Sequence, residues 1–165
     1  MTDNTILFPI CGTLYPYRMS HQSFWLARYL QAKLYLAEVL LPTGWMDWLL
    51  APFRRKDQQW RFHQVEKLVF DLDQIKCEVE TVQVPNLTIG IVEAAWRVRP
   101  NLIVLTPELQ NALGKTGLKD LRTRLGEMSR CMLVLLGSGP TIRLEPCTTT
   151  DSPDRGQLIT LNFGD

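Results

Sequence analysis

The sequence predicts a doubly wound α/β domain: a five-stranded parallel sheet with helices on both faces. Three observations carry this. Residues 5–10, 102–105 and 131–136 are short apolar runs, the pattern of strands covered on both faces. Segments with three/four apolar spacing alternate with the strands, giving five strands and four helices in turn. Pro, Gly and Asn punctuate the junctions between them.

The first strand, 5–10, runs into a tight turn at Cys11-Gly12-Thr13, and past Pro16 the chain enters a helix. That helix is expected over 20–31, with Ser20 as N-cap and Phe24, Ala27 and Leu30 on its apolar stripe. Residues 33–41 read as a second strand, stopped by Pro42-Thr43-Gly44. Asp57 opens a helix whose face is Phe62, Val65, Leu68, Val69, Leu72 and Ile75. Residues 77–84 alternate apolar and acidic side chains, which predicts a strand with one wetter face near a sheet edge. Asn86 or Thr88 caps a third helix bearing Ile89, Val92, Ala95 and Trp96, ended by Pro100. Residues 107–116 read as a loop before a last helix carrying Leu118, Leu121, Leu125 and Met128. The fifth strand, 131–136, is closed by Gly137-Ser138-Gly139-Pro140. The sequence thus divides into an α/β domain over 1–140 and a C-terminal extension over 141–165. In the extension, 141–145 and 157–163 alternate weakly, so a hairpin arm and a disordered tail both stay open.

The bulk properties are those of an ordinary soluble domain of 165 residues, with 45% hydrophobic and 21% charged side chains. A net charge of +1 gives no global field to attract nucleic acid or an anionic membrane. The start, Met1-Thr2-Asp3-Asn4, lacks the features of a signal peptide, and no apolar run reaches membrane-spanning length, so a cytoplasmic location is expected. The four cysteines (Cys11, Cys77, Cys131, Cys147) and two histidines (His21, His63) show no metal-ligand spacing. Cysteines at strand ends act mostly as small core residues. A Cys11–His21 nucleophilic pair would lack an orienting third group.

Four matches in the right order resemble the universal stress protein family over 5–136. Ile6-Leu7-Phe8-Pro9-Ile10-Cys11-Gly12-Thr13 lies over the family's Ile-Leu-Val-Pro-Val-Asp-Gly-Ser, and Leu26-Ala27-Arg28-Tyr29-Leu30-Gln31-Ala32-Lys33-Leu34 over its Leu-Ala-Arg-x-Leu-x-Ala-x-Leu. Ile91-Val92-Glu93-Ala94-Ala95 with Asn101-Leu102-Ile103-Val104-Leu105 is similar to its third helix and fourth strand. Cys131-Met132-Leu133-Val134-Leu135 is similar to its closing Cys-Pro-Val-Leu-Val strand. The resemblance implies a sheet order of 3-2-1-4-5 and a homodimer formed through the last strand, here 131–136.

The same comparison implies a degraded nucleotide site. ATP-binding members carry Asp where this chain has Cys11. Their Gly-x2-Gly-x9-Gly-[Ser/Thr] falls here on Thr106, Leu109, Lys119 and Asp120. A shifted alignment, Gly114-x2-Gly117 with Gly126-Glu127, is one residue short and lacks the hydroxyl. Phosphate binding of this kind uses backbone N–H groups that only small residues leave open. Gly114-Lys115-Thr116 is not a P-loop, because Leu109 stands where that motif needs glycine.

The expected function is therefore a non-catalytic stress-response or regulatory role of the universal stress type, exerted through protein contacts, with no cofactor and no nucleic acid. The alternative is a sensor that binds ATP or AMP weakly between Ile10, Cys11, Gly12, Thr13 and Gly114, Lys115, Gly117. A separate candidate surface spans 45–56, where Trp45, Trp48, Leu49 and Phe53 precede Arg54, Arg55 and Lys56. This composition suits a partner protein or a peripheral membrane contact, and burying its large side chains is worth several kcal/mol on an order-of-magnitude basis. Burial inside the fold or the dimer is the competing reading.

Overall fold

The computed structural model describes residues 4–11, 25–41, 77–128, 130–137, 139, 141–147 and 156–160. Seven strands form one sheet: β1 (Thr5–Cys11), β2 (Lys33–Leu40), β3 (Cys77–Gln83), β4 (Leu102–Leu105), β5 (Met132–Leu136), β6 (Thr141–Pro146) and β7 (Gln157–Thr160). Their spatial order is β3-β2-β1-β4-β5-β6-β7. The first five are parallel in the expected order 3-2-1-4-5, and β3 lies at the expected edge.

Strand side chains alternate between two apolar layers. Leu7, Ala37, Val39, Ile103, Leu105, Leu133 and Leu135 face the layer built with helices α1 (Leu87–Val98) and α2 (Pro107–Leu125). Ile6, Phe8, Ile10, Leu34, Leu36, Val104, Val134 and Leu136 face the other, where Leu26 and Ala27 of the helical residues 25–29 pack. Right-handed crossovers account for this division: residues 25–29, between β1 and β2, lie on one face, and α1 and α2, leading to β4 and β5, on the other.

Asn86 is the N-cap of α1, its side chain accepting from the Ile89 amide at 2.8 Å. Arg99, in the left-handed conformation, ends the helix one residue before Pro100. Gly90 is where α1 meets the sheet: a Cβ there would lie 2.5 Å from Val39 Cγ1 and 2.7 Å from Val84 Cγ2.

Two expectations are corrected. Residues 107–116 are helical, not a loop, and belong to α2, which ends at Leu125 rather than reaching Met128. Polar side chains and two glycines dilute the apolar stripe there, so only Leu109, Leu121 and Leu125 are buried. Of the two readings of the extension, the hairpin is the one that forms, and it widens the sheet beyond its five parallel strands. β6 pairs antiparallel with β5 and β7 antiparallel with β6, so the extension joins the sheet, and Ile142 is buried with the Phe8 layer. This closes the expected dimer route, because the outer edge of 131–136 is paired with β6 of the same chain. The expected N-cap Ser20, the helix over 57–75 and the surface Trp45, Trp48, Leu49, Phe53, Arg54, Arg55 lie outside the described residues.

Candidate functional site

In open α/β sheets the ligand crevice lies beyond the C-terminal strand ends, where the strand order reverses. Here that point is between β1 and β4. The Asn101 amide donates to the Thr5 carbonyl at 2.9 Å, so the odd-numbered backbone groups of β1 turn towards β4. Two-residue alternation aims the Pro9 nitrogen the same way, and proline has no hydrogen to donate. The β1–β4 ladder accordingly stops at Leu7↔Ile103, while the β1–β2 ladder runs through to Cys11↔Val39. The ladder between the two central strands thus ends short of their C-terminal ends, at the point where such sheets place their crevice.

The side chains around that point are poor in anion-binding groups. Ile10 is buried and packs away into the Phe8 layer. Cys11 is half-buried at the end of β1, and burial pushes its thiol above the ordinary range, so it is neutral. Gly12 and Thr13 lie outside the described residues. Beside Ile10, the register places Glu38 of β2, a 3% exposed acid that the sequence reading did not single out. No local pattern marks it, because it occupies an ordinary strand position.

Across the crevice, α2 begins directly after β4. Thr106 is its N-cap, and its hydroxyl accepts from the Leu109 amide at 3.3 Å. The Gln110 amide is taken by the Thr106 carbonyl at 2.9 Å. Pro107 brings no N–H, and Glu108 places a carboxylate in the first turn. A helix start attracts phosphate through unpaired N–H groups and the positive end of its dipole. Here one of those donors, the Leu109 amide, is used by the cap, another is absent at Pro107, and the Glu108 carboxylate opposes the charge. Leu109, at one of the expected glycine positions, is buried in the core. Lys119 and Asp120 sit well within the helix, and Asp120 is paired with Arg124 at 2.9 Å.

The other three candidate residues are in the middle of α2. Gly114 interrupts the helix with φ 66°, ψ −178°, and a Cβ there would meet nothing within 4 Å. Lys115 is exposed. Gly117 faces its neighbouring helix, its Cβ position lying 3.7 Å from Thr88 Oγ1 at the start of α1. Gly117 is thus a helix–helix contact, and Gly114 marks a kink.

Neither a family model nor a curated protein matches the sequence. Solved structures do match the fold. A universal stress protein family member from Burkholderia pseudomallei superposes with a TM-score of 0.51 at 18% identity, over 81% of this chain and 95% of the other. The universal stress protein UspA from Lactobacillus plantarum gives 0.59 at 15%, over 81% and 97%. The chain has the universal stress protein fold. A universal stress protein in complex with cAMP is also similar, with a TM-score of 0.50 at 17% identity over 81% and 96% of the two chains. The universal stress protein fold therefore accounts for the five parallel strands and their crossovers. Among the described residues, no helix is long and apolar enough to cross a membrane.

Proposed function

We propose that this chain is a divergent universal stress protein acting as a non-catalytic regulator through protein contacts, without a nucleotide at its crevice. The observation that carries the reading is the start of α2. Thr106, Pro107 and Glu108 use, remove or oppose the groups that would hold a phosphate. The neutral Cys11 across the crevice supports the same reading.

The regulator works in the cytoplasm and, like other proteins of this fold, as a homodimer. Because β6 covers the β5 edge, its dimer contact lies elsewhere than 131–136. The surface carrying Trp45, Trp48, Leu49, Phe53, Arg54 and Arg55 is the favoured partner or membrane contact on composition. Co-sedimentation with anionic liposomes separates the two occupants. Loss of binding in Trp48→Glu favours the membrane, and equal partitioning of wild type and variant removes it.

The second reading is a weak sensor of ATP or AMP, and the solved complex of a similar fold with cAMP is what favours keeping it. Calorimetry with ATP, AMP and cAMP tests the main proposal directly. No heat of binding is expected up to millimolar nucleotide, and micromolar affinity for any of the three would replace the regulator with the sensor.

A further inference from the structure

The β5–β6 ladder runs Met132↔Pro146, Leu133↔Glu145, Val134↔Leu144, Leu135↔Arg143 and Leu136↔Ile142. One step outward, the Cys147 amide donates to the Cys131 carbonyl at 3.3 Å, which sets the two cysteines directly opposite each other. Their side chains fall on the α2 side of the sheet, and the two thiols hydrogen-bond to each other. Hydrogen-bonded antiparallel pairs have Cα atoms about 5.5 Å apart. That is inside the roughly 4.4–6.8 Å window of a disulfide.

We propose that Cys131 and Cys147 form a thiol-oxidation site, closing to an intramolecular disulfide when the chain meets a hydroperoxide and clamping β6 onto β5. The pair shares its protons unequally. The Cys147 S–H donates to the Cys131 sulfur and holds the Cys131 thiol below its ordinary range, while the same contact pushes Cys147 up. At Cys147 the Arg122 guanidinium favours the ionised form and the Glu145 carboxylate, paired with that arginine, opposes it. The Cys131 thiolate attacks a peroxide oxygen, the O–O bond breaks, and the departing hydroxide leaves as water with the proton that Cys131 released. The Cys147 sulfur then attacks the resulting sulfenic sulfur. The S–S bond forms, the S–O bond breaks, and a second water leaves with the Cys147 proton. Two thiols lose two electrons and one hydrogen peroxide becomes two waters.

The other cysteines are badly placed to compete. Cys11 is at the C-terminal end of β1, whereas Cys131 precedes β5. Cys77 starts β3, four strand positions from β5 and so about 19 Å away. With the turn between β5 and β6 at one end of the ladder and the disulfide at the other, the clamp holds the strand that covers the β5 edge.

The test treats the reduced full-length chain with hydrogen peroxide and reads its intact mass without reductant. Loss of two hydrogens, reversal by dithiothreitol and a Cys131–Cys147 cross-link in the peptide map are expected. Cys131→Ser and Cys147→Ser each abolish that loss. The Cys11→Ser/Cys77→Ser variant keeps it and leaves the pair itself untouched, so it guards against a fold defect at 131 or 147. Amide exchange over 141–147 slows on oxidation. The proposal is overturned if the wild type gains oxygen or dimerises through disulfides without the 131–147 link, or if that link is lost in the Cys11→Ser/Cys77→Ser variant.

Discussion

The side-chain amide of Gln110 donates to the carbonyl of Leu136 at 2.9 Å, and its second hydrogen reaches the Leu105 carbonyl at 2.9 Å. One residue in the first turn of α2 thus ties off the C-terminal ends of both β4 and β5. Replacing it by Leu leaves two part-buried carbonyls without this donor, at a cost of about 2 kcal/mol. Gln110→Glu costs a similar amount, since a carboxylate cannot donate. Urea denaturation checks this: the midpoint falls with the slope unchanged. An unchanged midpoint for both variants would show that the bridge contributes nothing.

Gly114 and Gly90 are both required, for different reasons. Gly114→Ala places a Cβ in open space but on a backbone with φ 66°, so its cost of about 1–3 kcal/mol comes from strain alone. Gly90→Ala costs a similar amount through collision with Val39 and Val84. The two are told apart by combining each with Val39→Ala. The shortened neighbour partly relieves Gly90→Ala and leaves the penalty of Gly114→Ala unchanged.

Glu145 is 7% exposed and lies between Arg122 Nη2 at 2.6 Å and Arg143 Nε at 3.0 Å, joining α2 to the added strand β6. Gly156 makes room for this arrangement, since a Cβ there would sit 2.5 Å from Arg143 Nε. Glu145→Gln leaves two guanidiniums facing each other and is expected to cost about 1–2 kcal/mol, moderated by the partial exposure of both arginines. A double-mutant cycle with Arg122→Leu should return a favourable coupling. Additive single effects would mean that the helix and β6 are held together by packing alone.

Lys33 and Glu78 pair across β2 and β3, with Tyr35 also accepting from the ammonium. The partnership raises the Lys33 pKa and lowers that of Glu78. For Glu78 the contribution is present above the ordinary carboxylate range and fades as pH falls through the depressed folded value. For Lys33 it is present below the ordinary lysine range and is lost as pH rises through the raised folded value. Glu78 is exposed and Lys33 partly so, which makes the effect small and open to screening by salt. Thermal melts of wild type and Glu78→Gln should differ slightly at neutral pH in low salt and converge both in acid and in molar salt. A difference that persists in molar salt would contradict the electrostatic origin.

The strands were legible because burial on two faces leaves a mark within a few residues. The apolar runs gave β1, β4 and β5, the alternating acids gave the edge strand β3, and of the two offered caps, Asn86 and Thr88, the first starts α1. The first half of α2 was not legible. Its polar face outweighs its apolar one, and glycines at 114 and 117 resemble loop residues. What makes it a helix is the Thr106 cap, the Gln110 bridge and the docking of Leu109 and Leu121 against the sheet. In the candidate site the sequence showed a cysteine at position 11 and Thr106, Leu109, Lys119 and Asp120 after β4. Glu38 and the Thr106 cap carried no local signal.

The sequence by itself determined the order of elements and the strand segments of the parallel core, because these depend on neighbouring residues. Only the tertiary structure decided what lies opposite what. Gly139 stands midway between Cys131 and Cys147, yet their pairing follows from the β5–β6 register, which a one-residue slip would undo by turning every side chain to the other face. That same register buries Ile142, brings Glu145 under Arg122 and covers the edge of β5. Contacts of this kind join residues far apart along the chain, and their geometry is set by the packed sheet.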